Sequence, residues 1–173
     1  REQAWIYRQP HPQPPPKLIN FDKPFTFSNK MELQGVQAYL VGEQLAVDVR
    51  WHLLPLGEFQ YYTAKLTLIG EKGATWAGLE TDLVNDTYFY PKDWQSGETT
   101  QVRYWLNLPA GIPPGDYQLE ITLFETDAQA RLPLLTAAGV FAGVAYLLDA
   151  VTVDATRLSA SYSDFGIDIS HDQ

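Results

Sequence analysis

The clearest pattern in the chain is a strict alternation of apolar and polar residues on both sides of a loop rich in Pro and Gly. It runs through residues 101–108 before the loop and through residues 117–123 after it. A period of two predicts half-buried β-strands with one face on a core and the other in water. The positions predicted to face inward are Val102, Tyr104, Leu106, Leu108, Tyr117, Leu119, Ile121 and Leu123.

Other runs along the chain repeat this period. Residues 45–53 predict the clearest strand, with Trp51 inward and with Asp48 and His52 outward in solvent. The alternation that starts at Met31 changes phase at Gly35, which predicts a β-bulge. We expect residues 17–27 to enter the sheet as an edge strand. The run 145–153 predicts a last strand, interrupted at Asp149 by a bulge or an edge position.

The number and spacing of these runs predict an all-β fold. About seven to nine short strands with turns between them are typical of an antiparallel, immunoglobulin-like β-sandwich. Tyr117, just after the Pro114–Gly115 turn, is either a core residue or the tyrosine that braces a corner in such domains. We expect a Pro-rich, semi-rigid spacer at 1–16, the sandwich at 17–154 and a C-terminal tail at 155–173.

Charge and cysteine content exclude several functions. With 21 acidic and 12 basic residues, the net charge is −9, which repels phosphate backbones and anionic lipid surfaces. We therefore expect no nucleic-acid partner. The chain has no Cys, so neither disulfides nor thiolate metal sites are available. No apolar run is long enough to span a bilayer. We expect the chain to be a piece of a longer protein, which leaves membrane segments possible outside it.

Catalytic and metal-binding patterns are missing from the sequence. There is no Gly-x-Ser-x-Gly elbow, and His52 is predicted to be a solvated strand residue rather than a catalytic base. No pair of His has metal-ligand spacing, so we expect no metal or other cofactor. The acidic loop 82–97 lacks the spacing of an EF-hand; a solvated loop and a Ca²⁺ site both remain open for it.

The same loop carries the one candidate binding site in the sequence. Aromatic rings stack on the flat C–H faces of sugars, and neighbouring amides and carboxylates bind the hydroxyl groups. The alternative is that the loop packs its own aromatic residues over an open end of the sandwich. The residues assigned to the carbohydrate hypothesis are Trp76, Asn85, Tyr88, Tyr90, Asp93 and Trp94.

A set of short motifs in order along the chain resembles a known family. The motifs are AVDVRWHLL at 46–54, Trp94 with Gly97–Glu98, YWLNLP at 104–109, IPPGDYQL at 112–119 and RLP at 131–133. Over about residues 31–153 the chain resembles the soluble C-terminal β-sandwich of some bacterial multi-pass membrane glycosyltransferases of the mannosyltransferase-like class. Related envelope proteins carry the same domain.

The resemblance implies an exported accessory domain that helps to position or bind a glycan or an envelope partner. In that family the catalytic acids belong to the membrane portion, so no catalytic residue is carried over and we expect no enzymatic activity. The alternative function is a structural or protein-interaction module. It predicts an exposed sheet face with outward-facing Trp105 near its centre.

Overall fold

The structure of the chain is a computed structural model that describes residues 17–55, 61–85 and 89–154. These residues form an all-β sandwich of two antiparallel sheets, which confirms the predicted fold class. The Pro-rich segment 1–16 and the tail 155–173 lie outside the described residues. No helix in the described part is long and apolar enough to cross a membrane.

The strands follow one another along the chain. Two 3-10 turns, Glu71–Gly73 and Pro91–Asp93, lie between them. In order, the strands are β1 Phe25–Phe27, β2 Met31–Val41, β3 Gln44–Leu53, β4 Tyr62–Ile69, β5 Thr75–Asp82, β6 Thr99–Asn107, β7 Gly115–Glu125, β8 Ala130–Arg131, β9 Leu134–Leu135, β10 Phe141–Gly143 and β11 Tyr146–Val153.

The two sheets each have a simple order. The first sheet runs β10-β9-β1-β2-β3-β6, and the second runs β11-β7-β4-β5, with β8 added alongside β7. Strand β6 therefore ends the first sheet, and β5 ends the second. These two end strands contact each other across the sandwich. The long edge on that side of the molecule is thus built from β5 and β6 together.

The inward faces of both sheets form one core. The predicted inward residues of β3, β6 and β7 are buried or nearly so, because successive side chains of a strand point to opposite sheet faces. The largest fully buried side chains include Trp51, Tyr62, Phe27, Met31 and Leu33. Trp51 also donates a hydrogen bond from Nε1 to the Tyr104 hydroxyl at 3.1 Å, which satisfies a polar group inside the core.

The bulge predicted at Gly35 is confirmed by a register shift between Leu33 and Gly35 in the β2–β3 pair. A Cβ atom at Gly35 would lie 2.7 Å from the carbonyl oxygen of Ile19, so only glycine admits this close approach of the chain. The bulge exchanges the faces of β2, and the later residue Tyr39 consequently lies opposite Ala46 on the outer face.

The structure contradicts one prediction about strand position and confirms another. The edge position expected for residues 17–27 is wrong, because β1 lies between β9 and β2 inside the first sheet. The irregularity expected at Asp149 is confirmed: β11 is an edge strand whose register shifts between Leu148 and Val151. Tyr117 donates a 2.6 Å hydrogen bond to the carbonyl of Pro113, which braces the turn as a corner tyrosine does.

Candidate functional site

Trp94, one of the residues of the carbohydrate site predicted in the loop, is buried. Its ring is 3% exposed, and its Nε1 donates a 2.7 Å hydrogen bond to the carbonyl oxygen of Phe89. A ring in that position has no face on which a sugar can stack, so the assignment of Trp94 as a stacking platform is wrong. The loop closes over this end of the core with Trp94 as its anchor.

Asn85 belongs to the same closure. Its amide nitrogen donates to Glu98 Oε1 at 2.9 Å, and its amide oxygen accepts from the backbone N–H of Phe89 at 2.8 Å. The second Glu98 oxygen accepts from the backbone N–H of Gln95 at 2.9 Å. Both ends of the amide are thus used inside the loop. These contacts are those of the alternative interpretation, in which the loop packs its own residues over the sandwich end.

The remaining predicted site residues do not come together. Tyr90 packs edge-on against Tyr61 and donates a 3.4 Å hydrogen bond to Asp82 at the end of β5, and Asp93 is exposed beside it. Trp76 lies at the opposite end of β5, about 20 Å away at roughly 3.3 Å per residue. Tyr88 lies outside the described residues.

Trp76 lines a separate pocket of about 230 Å³. Its ring meets Tyr117 at a centroid distance of 6.4 Å and an angle of 88°, and Pro113 and Pro114 line the same pocket.

The described part of the chain holds no group of three or more His, Asp or Glu able to bind a metal ion. That statement does not cover Asp86, an acidic residue of the loop 82–97 that lies outside the described residues.

A second cluster of polar and aromatic side chains lies on the outer face of the first sheet. We call it the outer-face cluster, and its members are Gln37, Tyr39, Asp48, Arg103 and Trp105. It stands where β2, β3 and β6 run side by side, with Gln37 opposite Asp48 and Asp48 opposite Arg103. Tyr39, Ala46 and Trp105 form the adjacent row. The cluster is therefore positioned by the register of three neighbouring strands.

Asp48 is the buried centre of the outer-face cluster. Its side chain is 1% exposed, so its prediction as a solvated surface residue is wrong. Arg103 covers it and donates two hydrogen bonds, from Nε to Oδ1 at 2.7 Å and from Nη2 to Oδ2 at 3.0 Å. The Tyr39 hydroxyl and the Gln37 amide each donate to Oδ2 at 3.3 Å. This two-point contact fixes the plane of the guanidinium.

Two aromatic rings of the adjacent row lie close to that guanidinium. The Arg103 carbon Cζ lies 5.7 Å from the Tyr39 ring centroid and 5.8 Å from that of Trp105, within the range of cation–π contacts. The hydrogen bond with Asp48 raises the pKa of Arg103. Desolvation, followed by the charge of Asp48, raises the pKa of Tyr39 above its usual value. Trp105 is 41% exposed and presents its ring to solvent.

Amide side chains border the cluster along β3 and β6. Gln44 Nε2 donates to Asn107 Oδ1 at 2.6 Å, and Arg50 Nη2 donates to Gln101 Oε1 at 3.1 Å. At the far end His52 Nδ1 and Thr99 Oγ1 are 2.8 Å apart. The outer face thus combines an exposed indole, a fixed guanidinium and a rim of amides. Such a combination is suited to binding a ligand with both apolar faces and hydroxyl groups.

Sequence reasoning placed Asp48, Arg103 and Trp105 on outward faces but did not bring them together. The signal that could have paired them is the register of β3 with β6, which sets Asp48 beside Arg103. Comparison with protein-family models and with curated proteins finds no match for this chain. The glycosyltransferase resemblance therefore stays a prediction from the motifs alone.

Proposed function

We propose that this chain is a non-catalytic carbohydrate-binding domain that contacts its glycan through the outer-face cluster. The observation that carries the proposal is the exposed Trp105 ring beside a guanidinium that buried Asp48 holds in place. This moves the carbohydrate site from the loop 82–97, where Trp94 and Asn85 are buried, to the outer face of the first sheet beside its β6 edge.

The chemistry of the cluster fits a sugar ring. Trp105 supplies the flat apolar surface on which sugar C–H groups pack. Arg103 uses its Nε and one Nη2 hydrogen for Asp48, which leaves other guanidinium N–H donors for a ligand hydroxyl. Asn107 and Gln101, on the same side of β6, add amide groups to this face.

Rigidity supports the same proposal. Immobilising a long, flexible side chain on binding costs about 0.5–1.5 kcal/mol, and this cost is avoided when the side chain is already held. Arg103 is held by two hydrogen bonds and two aromatic rings before any ligand arrives. The cluster is therefore prepared for binding in the folded domain.

The location and context of the domain follow from the resemblance, not from the geometry. The motifs shared with the glycosyltransferase sandwich, together with the Pro-rich segment 1–16, support an extracytoplasmic domain of a larger bacterial envelope protein. In that setting the sheet face acts as an accessory glycan contact while chemistry takes place elsewhere in the longer protein.

The test is titration of the 173-residue chain with envelope polysaccharides and their oligosaccharides, with binding measured by tryptophan fluorescence and calorimetry. Trp105→Ala should weaken binding about three- to tenfold, the loss expected for one aromatic contact. The matched control is Phe89→Ala, because Phe89 is also exposed but belongs to the loop. Equal binding by wild type and Trp105→Ala, or binding lost only in Phe89→Ala, contradicts the proposed site.

A protein-interaction module is the second candidate. Trp, Tyr and Arg are the residues most enriched among the dominant contacts of protein interfaces, and the outer-face cluster contains all three. Absence of any glycan binding, together with a partner whose capture is abolished by Trp105→Glu, would favour this second function.

A further inference from the structure

The outer edge of β6 differs from the other sheet edges. Strand β6 is 9 residues long and contains no Pro and no Lys, and no described strand pairs with it on the side away from β3. Proteins usually protect edge strands by shortness, bulges, Pro or charge. Here β10 has 3 residues, β11 has a register shift and β5 exposes Glu80. Strand β6 is long and regular, and its one charged side chain, Arg103, is paired with Asp48.

The backbone hydrogen bonds show which groups of β6 are available. Leu53 N donates to Glu98 O at 2.9 Å, and Leu108 N donates to Glu43 O at 3.1 Å. These contacts lie at the two ends of the β3–β6 ladder, and hydrogen-bonded pairs alternate with non-bonded pairs in an antiparallel ladder. The inward-facing residues of β6, such as Tyr104, are therefore bonded to β3.

It follows that the backbone N–H and C=O groups of the outward-facing residues point away from β3. Gln101, Arg103 and Trp105 are the central three of these residues. These residues line a groove of about 540 Å³ between β6 and β5, whose wall also includes apolar Leu79 and Val84 and polar Thr81, Asp82 and Asn85. A strand added to β6 would bond to the outward-pointing backbone groups of β6 and cover Leu79 and Val84.

Charge decides which strand fits. The protein carries a net charge of −9, but within β6 the only ionised side chain is Arg103, and Asp48 neutralises it. Two copies of β6 therefore meet without the repulsion that the rest of the surface would produce. In an antiparallel pair of β6 strands, one register sets Arg103 of each copy opposite Trp105 of the other. That register makes two cation–π pairs and avoids facing the two Arg103 side chains.

We propose that two copies of this chain pair antiparallel through β6 and extend the first sheet across a two-fold axis. The contact is isologous: Arg103 of each copy lies opposite Trp105 of the other. Closed two-fold dimers of this kind are the commonest oligomers. This inference concerns the backbone edge and does not depend on glycan binding.

The experiment is light scattering and sedimentation of the full 173-residue chain over a concentration series without any glycan. The wild type should approach twice the monomer mass of 19.5 kDa. Gln101→Pro should remain monomeric, because it removes an N–H that points out of the sheet and leaves the β3 ladder intact. Gln101→Ala is the matched control: it loses the same side chain but keeps the N–H, and should dimerise like the wild type.

Amide hydrogen exchange of the wild type gives a readout that needs no variant. The Gln101, Arg103 and Trp105 amides should be protected at high concentration and exchange rapidly on dilution. The Tyr104 amide, bonded to β3, should be protected both at high concentration and after dilution. A wild type that stays monomeric, a folded Gln101→Pro that still dimerises, or edge amides whose exchange ignores concentration would each overturn the proposal.

Discussion

Breaking the contact between Asp48 and Arg103 should cost far more than breaking an ordinary surface ion pair. Arg103→Met keeps an unbranched stem like that of arginine but removes the guanidinium, with its charge and all its N–H donors. Asp48 is then left buried, with only the 3.3 Å bonds from Tyr39 and Gln37. An ionised carboxylate that loses its partner in such a place is strongly destabilising.

The structure sets the size of the effect. Unit charges about 4 Å apart interact by about 1 kcal/mol in water and about 4 kcal/mol at an effective dielectric constant of about 20. Asp48 is 1% exposed but Arg103 is 37% exposed, which places this pair between the two limits. We therefore expect a coupling free energy of about 2 kcal/mol between Asp48 and Arg103.

The assay is a double-mutant cycle of the wild type, Asp48→Asn, Arg103→Met and the double variant. The free energy of unfolding of each is measured by urea denaturation monitored with circular dichroism. Each single change leaves one partner of a buried contact unpaired, whereas the double change removes both. The chain supplies its own control in Lys65 and Glu80, which are 3.5 Å apart and 41% and 57% exposed. That pair should couple by less than about 0.5 kcal/mol. A coupling for Asp48 and Arg103 as small as that of the control would refute the reasoning.

Two further predictions concern the core and the bulge. Tyr104→Phe should lower the free energy of unfolding at pH 7 by about 1–3 kcal/mol, because it leaves Trp51 Nε1 buried without its acceptor. Burial raises the pKa of Tyr104, so this tyrosine stays protonated in the folded protein at pH values where it ionises in the unfolded chain. The wild-type free energy of unfolding should therefore be constant in this respect below about pH 10 and fall as the pH rises further. The urea midpoint of Tyr104→Phe should fall less steeply with pH than that of the wild type. Gly35→Ala should cost about 1–3 kcal/mol in thermal unfolding, because its Cβ would lie 2.7 Å from the Ile19 carbonyl. Gly78→Ala, whose nearest neighbour is 3.6 Å away, should cost much less, and equal losses would contradict this reading.

The long strands could be predicted because their signal is local. Alternation in β3, β6 and β7 identifies the buried face from the residues alone, since a strand with one solvated face must place every second side chain in the core. The bulge at Gly35 was predictable for the same reason: the change of phase occurs within one strand and is visible in the residues of that strand alone. No knowledge of neighbouring strands is needed for either.

The short strands and the sheet order could not be obtained in this way. Strands β8 and β9 have 2 residues each and β10 has 3, which is too short for a period of two to be recognised. Residues 17–27 looked like an edge because Pro24 interrupts them, yet β9, more than a hundred residues later in the chain, covers β1 on its other side. Pairing over such separations is determined by the whole fold.

The site shows the same division. Sequence reasoning recognised a loop rich in aromatic residues, but the direction of Trp94 depends on the carbonyl of Phe89 and on the core beneath it. Asp48 looked solvated because it alternates with apolar residues. Its burial comes from Arg103, on a strand separated from β3 in the chain by β4 and β5. Only the register of non-sequential strands reveals that pair.

Arg103 and Trp105 take part in both proposals through different groups. Their side chains stand on the outer face of the first sheet, whereas their backbone N–H and C=O groups lie in the plane of the sheet and point along its edge. Glycan stacking uses the side chains, whereas the hydrogen bonds of strand pairing use the backbone; the proposed register also sets the Arg103 side chain of each copy beside Trp105 of the other. Pairing through β6 would place two outer-face clusters side by side on one continuous sheet. A long glycan could then be held at two points, which strengthens binding without any new type of contact.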